Sequence, residues 1–469
     1  MRRLLAAAFL VLSLYAGAQE KMTDYPFFSA LQLQQDFDSL YTALKENHPD
    51  LYANWKKTDA DAAYRLIKKQ LNKPMNRLQF VNIISPFIAR FDDGHTFLST
   101  FDIEEVESYW KSGGKMFPLQ VSIIDGKLYC AGNAFGKGSI EAGDEIITIN
   151  GTPSAILVKK LSSFWSADGR ENAIATAQRL FGFGLWLNYG WGSSTEVTFL
   201  RGKQKVKEVI EGITKDPFLS LQYGSGPIRR LQLLPEHSLA VVEIRSYGNV
   251  EKSKAFIDSV FGIIKMHNIQ HVALDLRKNG GGNSYIGDYF ISYISRKPYR
   301  TISSKTWRVG PMLQSLPAEH WMTNSLNYAR NNWSLKEDYL QSPVLEAQQP
   351  TSVNDTSLYS TARFYLLTSA RTYSSAHMTA MAVKCGKLGT IIGQPTGERL
   401  DFTGEILEKI LPNTKVVAVI PSATYKAGCE SSKGIGVIPD YYVPIKASDL
   451  KNGRDAELEF LKTLIKKEE

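Results

Sequence analysis

Cysteine is scarce in this chain: Cys130, Cys385 and Cys429 are the only three in 469 residues. Three thiols cannot build a multi-bridge framework, and their spacing matches no zinc site. One bridge at most is possible, and buried small hydrophobes is the expectation for all three. No block of like charge occurs either. The net charge of +8 is spread along the sequence, with no basic tract or basic-aromatic stripe, so nucleic acid is not an expected partner. A mildly basic, solvated surface accounts for the charge. After the first twenty residues no stretch reaches about 18 uninterrupted apolar residues, which excludes an expected membrane span from the mature chain. There are no internal repeats and no low-complexity segment. The G-x-G-x-x-G spacing of a dinucleotide site is absent, and no metal or other cofactor is expected.

What is present begins with the leader MRRLLAAAFLVLSLYAGAQE. Arg2 and Arg3 form a positive n-region, Leu4 to Ala16 an apolar h-region, and Ala16-Gly17-Ala18 a small-residue cleavage site. Residues 1–18 are therefore expected to be a signal peptide cleaved near Ala18, placing the mature chain outside the cytoplasm, periplasmic or secreted. A length of 469 residues with 43% apolar and 22% charged content fits a protein of two or three globular domains.

The hydrophobic period divides the rest. Residues 19–111 form a helical subdomain, with apolar residues at three- and four-residue intervals from Leu31 to Leu44 and from Phe80 to Phe87. Residues 112–214 form a β-rich module. Leu119, Val121 and Ile123 alternate, Asp125-Gly126 turns, and Leu128 resumes. Residues 215–450 alternate strands and helices, an α/β core, with an aromatic, irregular insertion at 300–358. Val416–Ile420 is expected as one further strand of that core. Residues 451–469 form a C-terminal helix or tail. The fold class is α/β, multidomain.

Two segments of the core carry candidate chemistry. The strand His271-Val272-Ala273-Leu274-Asp275-Leu276 stops at Asn279-Gly280-Gly281-Gly282, where glycines let backbone N–H groups face an anion or oxyanion. A tight turn would use the same residues. The strand Phe364–Leu367 leads through Tyr373-Ser374-Ser375 into a helix, a good place for a nucleophile. Such a serine needs a group to accept its proton. His377 lies three residues on, on the same helix face. His95, in Asp93-Gly94-His95-Thr96, sits at the seam between the helical and β modules. Spacing alone leaves both open.

Residues 238–440 resemble the C-terminal processing, or tail-specific, serine peptidases. The Asp275-Leu276-Arg277 to Gly282 stretch is similar to that family's strand and glycine turn. Leu366 to Ala376 is similar to its nucleophile motif, and Gly393 to Gly397 with Gly436 to Asp440 to its closing motifs. The β module resembles a PDZ domain through Ala142-Gly143-Asp144-Glu145 to Asn150-Gly151. The resemblance implies a ClpP- or crotonase-like peptidase core with Ser374 as nucleophile. It implies an oxyanion hole from the N–H groups of Ser375 and Gly281, with Gly280, Gly282 and Tyr373 contacting substrate. The lysine-dyad branch would place its base at Arg399, and a guanidinium stays protonated. Asp93-Gly94-His95-Thr96 resembles instead the histidine motif of the tricorn-core-like branch, which implies His95 as base. That branch orients its histidine with a late glutamate. Lys433 stands where it would fall, and Glu430 is the nearest acid.

The implied activity is hydrolysis of peptide bonds in unfolded or C-terminal segments through an acyl-enzyme, with a peptide or protein as partner. The alternative is a non-catalytic protein on the same fold, carrying peptide or an apolar ligand as retinoid-binding-protein repeats do, with Trp307, Trp321, Tyr328 and Trp333 lining its cleft.

Overall fold

The structure, a computed structural model, describes residues 25–101, 103–429, 434 and 436–468. The leader and Glu430 lie outside the described residues. The chain opens with three helices, Ala30–Asn47, Lys57–Gln70 and Arg77–Ala89. Ser29 and Asn76 each close a capping box, with Gln32 and Gln79 respectively, which satisfies the first orphan N–H groups of two of these helices. Leu33, Phe37, Leu40 and Leu44 recur at helical spacing and are fully or almost fully buried. The Arg77–Ala89 helix ends in a tight turn that delivers Asp93-Gly94-His95, and the chain then enters the short strand Phe97–Ser99.

The β module is antiparallel throughout. Gln120–Ile124 and Lys127–Gly132 form a hairpin, followed outward by Glu145–Ile149, Ser194–Arg201 and Gln204–Glu211. Helices Ser154–Ser162, Gly169–Arg179 and Phe181–Tyr189 intervene between its strands.

The core sheet runs Tyr441–Tyr442, Thr390–Gly393, Arg363–Thr368, His271–Asp275, Leu239–Ile244, Arg229–Leu234. All its pairings are parallel except the last, a hairpin-linked edge. Parallel strands buried on both faces should read as continuous apolar runs, and these do. Val242, Val272, Leu274 and Leu366 face the helices Val250–Met266, Tyr285–Ile294 and Ser375–Gly386. Val241, Ala273, Tyr365 and Leu367 face the C-terminal helix Ala456–Glu468 through Leu461 and Ile465. Arg277, at the end of one central strand, ties that helix down through Asp455 at 2.6 Å and Glu457 at 3.1 Å.

Four expectations are corrected here. The strand around Val416–Ile420 is Val417–Ala427, and it belongs to a separate antiparallel sheet rather than to the core. It follows Phe402–Ile410 by a short turn and pairs with it, whereas a parallel return to the core would require a long crossover. The segment expected to be irregular supplies three strands to the same sheet: Ile302–Arg308, Ser334–Lys336 and Tyr339–Gln341. Trp307 is buried there with Leu313, Met322 and Leu326, and its Nε1 donates to Ser422 Oγ at 2.9 Å. Trp333 packs against that satellite core, while Trp321 and Tyr328 are exposed on the outside, so the four aromatics do not line one cleft. The last correction concerns the thiols. Cys385 and Cys429 form a disulfide, tying the helix Ser375–Gly386 to the end of strand Val417–Ala427, while Cys130 is a buried free thiol.

Among the described residues no helix is long and apolar enough to cross a membrane, and no group of acidic, histidine and cysteine side chains could hold a metal ion.

Candidate active site

Ser374 stands where strand Arg363–Thr368 turns into helix Ser375–Gly386. Its backbone has φ 52° and ψ −127°, a conformation that costs a non-glycine residue about 1–3 kcal/mol. The surroundings hold it there. The Ser374 N–H donates to Glu398 Oε2 at 2.6 Å, and the Tyr373 N–H donates to the Asn279 carbonyl at 3.0 Å. The glycine turn after strand His271–Asp275 packs directly beneath. A Cβ on Gly281, whose φ is +104°, would fall 2.7 Å from Ser374 Cβ, so only glycine lets the two segments meet.

His95 Nε2 lies 3.3 Å from Ser374 Oγ, across 279 residues of sequence. On its other side, Nδ1 faces Glu398 Oε1 at 3.2 Å. The pair is close but not aligned as a hydrogen bond. The His95 backbone N–H donates to Asp93 Oδ1 at 2.8 Å, and Asp93 Oδ2 meets His48 Nε2 at 2.8 Å. The ring also leans on Tyr373, with centroids 5.1 Å apart. Tyr373 hydroxyl donates to Asp168, and a Cβ on Gly94 would strike that hydroxyl, which is why glycine precedes the histidine.

Charge around the imidazole is one-sided. Burial works to lower the His95 pKa, but Glu398, Asp93 and Asp168 outweigh it and raise it to about 9. Asp168 is itself pushed up to about 7 by burial and by the nearby Asp93 and Glu398, against the pull of Arg399. Arg399 bonds Asp168 Oδ1 at 2.7 Å and the Asp92 carbonyl at 2.7 Å, so the residue at the lysine-dyad position organises the acids behind His95.

The remaining sequence candidates fall as follows. The Ser375 side chain donates to the Gly282 carbonyl at 2.7 Å, and the Ser375 N–H has no partner among the described residues. The Gly281 N–H, expected as the second oxyanion donor, is engaged by Asn279 Oδ1 at 2.8 Å, whereas the Gly280 N–H is unengaged. Gly280 and Tyr373 line a cavity of about 450 Å³ beside the serine. His377 is buried and bonds Thr396 Oγ1 at 2.8 Å, and burial lowers its pKa. Glu430 lies outside the described residues, and the carboxylate at Nδ1 of His95 is that of Glu398. Sequence reasoning passed over Glu398, although it adjoins Arg399, the position weighed for a lysine. It also passed over His48, which joins the network only through Asp93.

Residues 238–443 match the model of peptidase family S41. They belong to that family. That segment is accordingly a serine-type peptidase core of family S41. No curated protein matches the chain. Among solved structures, mature CPAF complexed with lactacystin is similar over 93% of this chain and 98% of its own, at 15% identity and a TM-score of 0.65. A mutant of CPAF is similar over 93% and 97%, at 15% identity and a TM-score of 0.68. These likenesses extend the shared fold beyond the family core, to the N-terminal helices and the antiparallel β module.

Proposed function

We propose that this peptidase is exported and cleaves peptide bonds with Ser374 as nucleophile, His95 as general base and Glu398 as the residue that positions His95. The observation that carries this is the 3.3 Å approach of His95 Nε2 to Ser374 Oγ at a strained serine. Ser374 Oγ bonds to the scissile carbonyl carbon as His95 Nε2 takes its proton, and the C=O electron pair moves onto oxygen. The Ser375 N–H and an N–H of the Gly280–Gly282 turn receive that charge. The C–N bond then breaks as the imidazolium returns its proton to the leaving amine. Water, deprotonated by His95, attacks the ester, and Ser374 leaves with the proton. Glu398 stabilises the imidazolium and fixes its ring, which supports the tricorn-like histidine mechanism over a lysine dyad.

Peptide enters between the β module and the core, the module acting as a PDZ-like strand acceptor. Export is supported by the leader, and the Cys385–Cys429 disulfide is of a kind that persists in oxidising compartments. Incubating the full chain and its Ser374→Ala variant with an unfolded protein, with products read by mass spectrometry, tests the reading. Cleavage by the wild type alone is expected. Equal cleavage by both, or none by folded wild type, overturns it.

A further inference from the structure

The cavity beside Ser374 is basic in an unusual way. Gly94, Gly280 and Tyr373 of its lining adjoin His95, Gly281 and Ser374 in sequence, so it lies next to the reacting centre. Arg179 and Arg371 line it. Neither guanidinium makes a hydrogen bond or ion pair with any described residue, and none of the described residues lining the cavity is acidic. By contrast, three other arginines of low exposure are ion-paired. Arg77 has Glu104 and Glu105, Arg277 has Asp275, Asp455 and Glu457, and Arg399 has Asp92 and Asp168.

The two unpaired arginines come from different elements that are locked together. Arg179 ends the helix Gly169–Arg179, and Arg371 lies in the loop that leads to Ser374. Asn172 of that helix donates to the Ala370 carbonyl at 2.9 Å. A helix C-terminus favours one cation, which would account for Arg179 but not for Arg371. Burial, then the charge of Arg179, works against the Arg371 cation and lowers its pKa to about 10. Arg245 and Lys278 bring the cations of the lining to four, the Arg245 guanidinium steadied by the carbonyls of Tyr223, Gly226 and Pro227. Two like charges facing one partly enclosed cavity cost free energy unless an anion arrives to meet them. Guanidinium forks suit carboxylates.

We propose that this cavity is a specificity subsite in which Arg179 and Arg371 bind a carboxylate of the substrate, either an acidic side chain or the chain terminus, at a fixed distance from the scissile bond. The inference rests on the proposed role of Ser374 and names the substrate feature that site selects.

The test uses the full chain and its Arg179→Gln and Arg371→Gln variants. Peptide libraries would carry Glu or Gln at each position, with a free or an amidated C-terminus. Wild type should favour the carboxylate over its amide by about tenfold or more in kcat/KM at one position, the lower range for a desolvated charge pair. In either arginine variant the ratio should fall toward unity. Persistence of the preference after amidation assigns it to a side chain, and its loss assigns it to the terminus. A wild type that cleaves without preference, or variants that retain the preference, would overturn the subsite while leaving the peptidase mechanism standing. Calorimetric titration of the Ser374→Ala protein with N-acetylglutamate α-amide, and with N-acetylglutamate, makes the subsite independent of turnover. Binding of one or both that vanishes with Arg371→Gln is expected. No binding of either probe would overturn the proposal.

Discussion

Glu398 lies against the two reacting residues at once: its Oε2 accepts the Ser374 backbone N–H at 2.6 Å, and its Oε1 faces His95 Nδ1 at 3.2 Å. One carboxylate thus holds the strained serine and raises the basicity of its partner. The base must be unprotonated to act, and its pKa is raised to about 9. Activity should therefore climb with pH through the alkaline range, above the ~6.5 of an ordinary histidine. In Glu398→Gln the rising limb of kcat/KM should move to lower pH, while kcat falls by about 10²- to 10⁴-fold. A purely structural role for Glu398 would lower activity without moving that limb.

Gly281 should tolerate no side chain. A Cβ there would sit 2.7 Å from Ser374 Cβ and 3.0 Å from the Ser375 nitrogen, on a backbone at φ +104°. Gly281→Ala should cost about 1–3 kcal/mol of stability and most of the activity. Denaturant unfolding and peptide turnover on the same preparation would check both.

The Cys385–Cys429 bridge closes a separation of 44 residues. Replacing both by serine should lower stability by about 2–4 kcal/mol. Calorimetric unfolding with and without reductant would measure it. Reductant should move the wild type toward the double variant and leave that variant unchanged.

Arg277 joins the catalytic strand-end to the C-terminal helix by facing Asp275, Asp455 and Glu457. Truncation leaves three carboxylates without their cation. Arg277→Ala should cost about 3–5 kcal/mol, more than exposed pairs contribute. Urea unfolding of the variant checks this.

Local chemistry made much of the fold legible. The runs around Val272 and Leu366 read as buried strands because both faces are covered, and the Asp125-Gly126 turn announced its hairpin. Strand Val417–Ala427 was misplaced because an apolar run does not reveal which sheet receives it. The disulfide was illegible because pairing depends on where two distant segments meet. Glu398 was hidden for the same reason. Nothing local distinguishes it from other acids, and the residue expected to orient the base was sought near Gly434 by motif order. The unpaired Arg179 and Arg371 were likewise visible only once the helix and the loop stood side by side.

Fluorophosphonate labelling with site mapping by mass spectrometry tests the central claim most directly. The account predicts a single adduct on Ser374, absent from Ser374→Ala and slowed severely by His95→Ala, with His377→Ala still labelled. Labelling elsewhere, or undiminished labelling of His95→Ala, would contradict it.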